Sequence, residues 1–241
     1  MPALLRQFAR HLHEYLFSTD WVERLQAWVT LLLQLALLGL TAGALVEGRW
    51  LVAFAAAAVL LLTFLPAVIE HEFHLRLPVE FTFLNALFLY AAFGLGEVRQ
   101  FYERFWWWDL MLHSVSAVVL GWIGFLSVYV VYHGRRLRIA PFYVAAGSFG
   151  FAVTLGTLWE IFEYLMDHFF GFNMQKSGLD DTMTDLIVDA GGALLAAWSG
   201  YHYIKNGDSL IAERLIRRFV ARNPRLFPPR RRQRPRRRRR R

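Results

Sequence analysis

A chain of 241 residues that is 56% hydrophobic and 19% charged, with 21 Phe and 9 Trp, is too apolar for a water-soluble domain and falls in the membrane class. The length allows one helical bundle rather than two domains, and the absence of cysteine excludes disulfides, thiolate metal sites and cysteine nucleophiles. The net charge of +8 joins two unlike parts: residues 205–241 carry 16 Lys/Arg against Asp208 and Glu213, a net +14, which leaves −6 on the preceding 204 residues.

Three regions follow in chain order. Residues 1–26 set Leu4, Leu5, Phe8, Leu12, Tyr15 and Leu16 at helical spacing among Arg6, Arg10 and His11, the pattern of an amphipathic helix lying on a membrane surface. Residues 27–206 hold six apolar runs, at 27–46, 51–69, 81–96, 110–132, 140–166 and 184–204. Each approaches the roughly 20 residues that an α-helix needs to cross ~30 Å of hydrocarbon. The first starts too late and runs too long for a cleaved signal peptide, so an uncleaved span is expected. Trp106, Trp107 and Trp108 precede the fourth span where an interfacial aromatic belt belongs. Residues 207–241 form a basic tail, and from residue 228 onward it has no apolar side chain, so it is expected to be disordered. The predicted fold is an all-α integral membrane protein: a six-transmembrane-helix bundle with an amphipathic N-terminal helix and a disordered Arg-rich C-terminal tail.

Short positively charged segments resist translocation, so the Lys/Arg bias sets orientation. With six spans and an inside N-terminus, the outer loops hold only Arg49, Arg99, Arg104 and Lys176, and the other 23 Lys/Arg lie on the cytoplasmic side. Both termini are therefore expected in the cytoplasm. The tail would rest on anionic lipid at about 1 kcal/mol per charge near the surface; binding of nucleic acid is an alternative that charge alone does not separate.

Acids at helical spacing interrupt the last three spans. They are Asp109 with His113, then Glu160, Glu163 and Asp167, then Asp181, Asp185 and Asp189. Steps of three, four and seven residues return to one helix face, and the alternating directions of the spans bring all three stripes to the outer half of the membrane. Asp109, Asp167 and Asp181, with Glu97 from the third span, form a rim. His113, Glu163 and Asp185 lie a turn deeper, with Glu160 and Asp189 beneath them. A charged side chain at mid-membrane costs about 2.5–3.5 kcal/mol on insertion scales, so such residues face a bundle interior and serve a purpose. One imidazole among oxygen ligands suits a divalent ion such as Mn, Fe, Zn or Mg. Helix capping accounts equally for Asp109 and Asp181, which begin helices, and an interhelical hydrogen bond for His113 alone.

The strings Gly94-Leu95-Gly96-Glu97 with Phe101-Tyr102, Trp107-Trp108-Asp109-x-x-x-His113, Trp159-Glu160-x-x-Glu163-x-x-x-Asp167 and Asp181-Thr182-x-x-Asp185-x-x-x-Asp189 resemble the YjdF-like family of bacterial inner-membrane proteins, over roughly residues 25–205. That family has no assigned reaction. The resemblance implies a location in the bacterial inner membrane and six spans, and that the acids occupy motif positions; the Arg tail departs from the pattern. Asp185-x-x-x-Asp189-x-x-Gly192 is similar to a short motif of VanZ-like membrane proteins, which have Asn at the position of Asp189.

The leading functional expectation is a metal-dependent hydrolase acting on a lipid or lipid-linked substrate. His113, Glu163 and Asp185 would hold the ion, and Glu160 or Asp189 would be the general base. A proton or cation carrier uses the same acids, but the inner halves of spans four to six lack a continuing polar path. A structural subunit pairing its acids with a basic partner helix is the third possibility.

Overall fold

The computed structural model describes residues 14–134, 139–207 and 213–227. Most of the expected N-terminal amphipathic helix, the inner-loop arginines Arg135, Arg136 and Arg138, and the Arg-rich run from 228 onward lie outside the described residues. What is described is helical, with no strand among the described residues.

Helix α1 (Trp21–Val46) begins where the Asp20 carboxylate accepts from the Val22 N–H at 2.9 Å. A left-handed Gly48 (φ 70°) ends it and turns the chain. The second apolar run is two helices, α2 (Trp50–Leu62) and α3 (Leu65–Phe73), bent by 40°. Pro66 cannot donate to the ladder, and neighbouring helices supply hydrogen bonds at the break. Asn85 Nδ2 donates to the Leu62 carbonyl (3.1 Å), and the buried Gln34 Nε2 to Thr63 Oγ1 (3.0 Å). Inside an apolar layer a break is tolerated only with such partners. Helix α4 (Val79–Leu89) continues without interruption into a π-helical segment, Tyr90–Glu97, and the single turn α5 (Phe101–Arg104) follows.

Three long helices complete the body: α6 (Trp108–Gly134), α7 (Pro141–Phe170) and α8 (Leu179–Asn206). Each packs on the other two, while α1, α2 and α4 form a second group. The close approach of α6 and α8 depends on Gly192, where an added Cβ would stand 2.8 Å from Ala117 Cβ and 2.9 Å from the Ser114 carbonyl. Each expected span therefore coincides with a helix or a helix pair. Among the described residues, four helices are long and apolar enough to cross a membrane, or five if the bent α2–α3 pair counts as one span. The exception is α8, which carries Asp180, Asp181, Asp185 and Asp189 over its first three turns. At 28 residues its length, ~42 Å at ~1.5 Å per residue, is ample.

The basic segment 207–241 is not uniform. Residues Glu213–Arg222 form helix α9, whose Leu215, Ile216 and Phe219 are buried in a core with Phe81, Phe125, Leu126, Val144 and Phe227. This docks α9 across the start of α4, the second half of α6 and the start of α7. Its arginines meet acids from the N-terminal half. Arg218 pairs with Asp20 (2.6 Å), Glu23 (3.5 Å) and Glu80, and Arg222 with Glu23 (2.9 Å). The Asn223 amide exchanges two hydrogen bonds with the Arg76 backbone, each 2.8 Å. Apolar contacts at helical spacing explain why this part of a strongly basic segment folds.

Candidate metal centre at the acidic end of the three-helix unit

Asp109 and His113 stand in the first turns of α6, Glu160 and Glu163 in the last turns of α7, and Asp185 and Asp189 in the first turns of α8. Because the helices are antiparallel neighbours, all six reach one end of the unit, opposite α9. His113 (8% exposed) is central. Its Nδ1 lies 3.4 Å from both Asp189 oxygens, and its Nε2 lies 3.7 Å from Glu160 Oε1 and 3.9 Å from Asp109 Oδ1. One ring thus faces carboxyl groups from three helices.

Both oxygens of Asp185 and of Glu160, and Oδ1 of Asp189, are buried without a hydrogen-bond partner among the described residues. The Thr182 hydroxyl is the neighbouring polar group to Glu160. Buried carboxylates left in this condition cost several kcal/mol each unless something neutralises them. One ligand atom each from Asp109, His113 and Asp185 lies within 4.8 Å of the others. A point no more than ~2.8 Å from all three then exists, so shifts of less than about 1 Å close the group onto an ion with ~2.0–2.2 Å bonds.

The expected residues divide in their roles. His113 and Asp185 belong to the converging group, and Asp109, expected at the rim, is its third member. Glu163 is buried but accepts a hydrogen bond from Trp159 Nε1 of its own helix at 2.9 Å; it is not among the three that converge. Glu160 and Asp189 flank His113 as the deeper pair. Asp167 is a loop clamp, accepting from the Met174 N–H (2.7 Å) and the Gln175 N–H (2.8 Å). Asp181 accepts from the Lys176 N–H at 3.1 Å, and Glu97 is exposed at the end of the π-helical segment.

Two further contributors were not among the expected site residues, although Tyr102 lies in one of the motif strings. Tyr102 lies in α5, where burial first, and then the charges of Asp109, Glu97, Glu163 and Asp185, push its phenol well above the usual range. It stays a neutral hydroxyl beside the acids. Gly156 sits one turn before Glu160, and a Cβ there would be 2.3 Å from Asp189 Oδ2. Only glycine admits the carboxylate, so Gly156→Ala should displace Asp189 at a cost of about 1–3 kcal/mol. The measurement is the thermal midpoint of the purified protein in detergent. An unchanged midpoint would mean that the acid has room to spare.

No solved structure matches the chain. A protein from Thermotoga maritima that is described only as uncharacterized is 33% identical over 137 residues, covering 56% of this chain and 68% of its own length. Residues 25–206 match the model of a family described as predicted membrane proteins, DUF2238. That match runs from α1 to the end of α8, contains every acid of the site and stops before α9. The chain is a member of the DUF2238 family of predicted membrane proteins.

Proposed function

We propose that this membrane protein holds a divalent metal ion between Asp109, His113 and Asp185 and uses it to hydrolyse a lipid or lipid-linked substrate. The observation that carries the reading is the convergence of these three side chains beside buried carboxyl oxygens that have no hydrogen-bond partner among the described residues. Bound there, the ion would lower the pKa of a water and polarise a carbonyl or phosphoryl oxygen. Glu160 and Asp189, on either side of His113, are placed to take the proton of that water. Glu163, within the same charge field, completes the set if its side chain turns from Trp159. Elemental analysis of protein purified without chelator tests the reading. About one Mn, Fe, Zn or Mg per chain supports it, and a metal-free protein whose stability no divalent ion changes refutes it.

The same proposal places six spans, with α2–α3 and α8 counted, in the bacterial inner membrane. It puts the acidic end outside, the termini in the cytoplasm and the Arg run from 228 on anionic lipid. Reporter fusions after Gly207 and near Lys176 should report opposite sides; a periplasmic signal after Gly207 would invert the assignment.

A proton carrier is the second reading, favoured by one feature: both His113 nitrogens face carboxyl groups, a geometry through which a proton can pass. Proteoliposomes that acidify only with the native protein, in the absence of any divalent ion, would favour it over the hydrolase. A structural subunit would instead purify with a partner that carries a basic helix.

A further inference from the structure

A strap crosses the acidic end. Residues 171–178 join α7 to α8, and Asp167 holds them through the Met174 and Gln175 N–H groups. Gln175 Nε2 donates to Thr182 Oγ1, and the Lys176 N–H to Asp181. Lys176 Nζ then reaches across to α5, pairing with Glu103 at 2.6 Å and lying 5.5 Å from the centre of the Tyr102 ring. The strap therefore ties the ends of α7 and α8 to the turn that precedes α6.

The flank of α7 is covered differently. Trp159 lies ~16 Å from the Phe170 end by helix rise, within a helix apolar enough to span a membrane. It is 48% exposed, beside Phe162 at a ring separation of 5.4 Å. Hydrocarbon offers no acceptor to an indole N–H. That N–H turns back instead to Glu163 Oε1 at 2.9 Å, and Glu163 itself is 8% exposed. One side chain is thus half exposed on a helix of spanning length and bonded to a buried acid of the site.

We propose that the site opens sideways into the bilayer at Trp159, and that its ligand is a membrane amphiphile whose hydroxyl or amine replaces the Trp159 N–H on Glu163. Exchange of one donor for another leaves the acid satisfied throughout, and the displaced indole N–H finds an ester or phosphate oxygen of the same molecule. A glycerolipid headgroup carries both. The proposal rests on the hydrolase reading for the use of the site, but its geometry and its test are independent of metal and turnover.

The test compares two carbodiimides, which modify carboxyl groups they can reach. The protein is held in phosphatidylethanolamine/phosphatidylglycerol vesicles with chelator, and labelled peptides are mapped by mass spectrometry. Lipid-soluble dicyclohexylcarbodiimide should label Glu163, and a water-soluble aminopropyl carbodiimide should not. Trp159→Phe keeps an aromatic side chain and removes the N–H, so labelling should quicken about threefold to tenfold, the range that one hydrogen bond spans. Hexadecanol in the vesicles should slow labelling, whereas hexadecane, which lacks the donor, should not. Equal or faster labelling from water, no labelling of Glu163 by either reagent, an unchanged rate in Trp159→Phe, or equal effects of the alcohol and the alkane would each overturn the proposal. Lipid-side labelling of a protein that binds no metal would sink the hydrolase reading alone. Water-side labelling of a metal-binding protein would sink this one alone.

Discussion

Replacing His113 by alanine should lower the affinity of the purified protein for Mn²⁺ or Zn²⁺ by more than about a hundredfold, since even outer partners of a metal ligand are worth 10–100-fold. Asp185→Asn should do the same with less disturbance, because it keeps the shape of a side chain that is only 1% exposed and removes its charge. The two variants differ without metal. Two carboxylates ~5 Å apart repel by about 3 kcal/mol at an effective dielectric of ~20, so metal-free Asp185→Asn should melt a few degrees above the metal-free native protein. Adding ion at a hundred times its Kd should stabilise the native protein by about 2.7 kcal/mol, or roughly 5–10 °C for a chain of this size. Neither variant should gain that increment. Differential scanning fluorimetry with a metal titration reads both effects. If Asp185→Asn still gained the full increment from the ion, Asp185 would not be a ligand.

At the opposite end, Arg218→Ala should lower the thermal midpoint by about 4–8 °C, which corresponds to ~2 kcal/mol for a chain of this length. Arg218 binds Asp20, Glu23 and Glu80 at once. After its loss Arg222 still meets Glu23 and Arg214 still meets Asp20, so Glu80 is the acid left without an ion pair among the described residues. Adding Glu80→Gln should therefore recover part of the loss, and the double variant should be more stable than the sum of the singles. Arg218 keeps 18% exposure, which is why the estimate falls below the 3–5 kcal/mol of a fully buried broken pair. Acid should act on the same contact. The Val22 N–H, and then Arg218 and Arg214, hold the Asp20 carboxyl below its ordinary range. A group depressed in this way contributes stability at neutral pH and loses it as the pH falls through the folded-state value. Asp20→Asn should flatten the decline of the midpoint below about pH 4.

The acidic end was legible because helical spacing fixes which residues share a face and alternating spans fix which ends meet. His113, Glu160, Glu163, Asp185 and Asp189 are all buried at one end of the three-helix unit. Spacing does not fix rotamers, however, and so it did not show that Glu163 turns to Trp159 while Asp109 closes on His113 and Asp185. The break at Thr63 falls within an apolar run where Pro66 marks it, but its remedy comes from Gln34 and Asn85, distant in sequence. Helix α9 was masked by its own charge. Its apolar positions Leu215, Ile216 and Phe219 follow a helical pattern, but their partners lie on α4, α6 and α7, beyond the reach of a local reading.

The clamp at α9 also has a history within each molecule's synthesis. Glu80 is made 138 residues before Arg218, and at 5–20 residues per second the ribosome takes roughly 7–28 s to cover that distance. Throughout that interval the helices of the N-terminal half must enter the bilayer while Asp20, Glu23 and Glu80 await their cation. A message truncated before codon 218 would yield a chain with every long helix in place and its two halves unfastened at that end. Such a chain would lack the Arg218 and Arg222 partners of Glu23 and Glu80, a mark by which a protease could tell an unfinished molecule from a complete one.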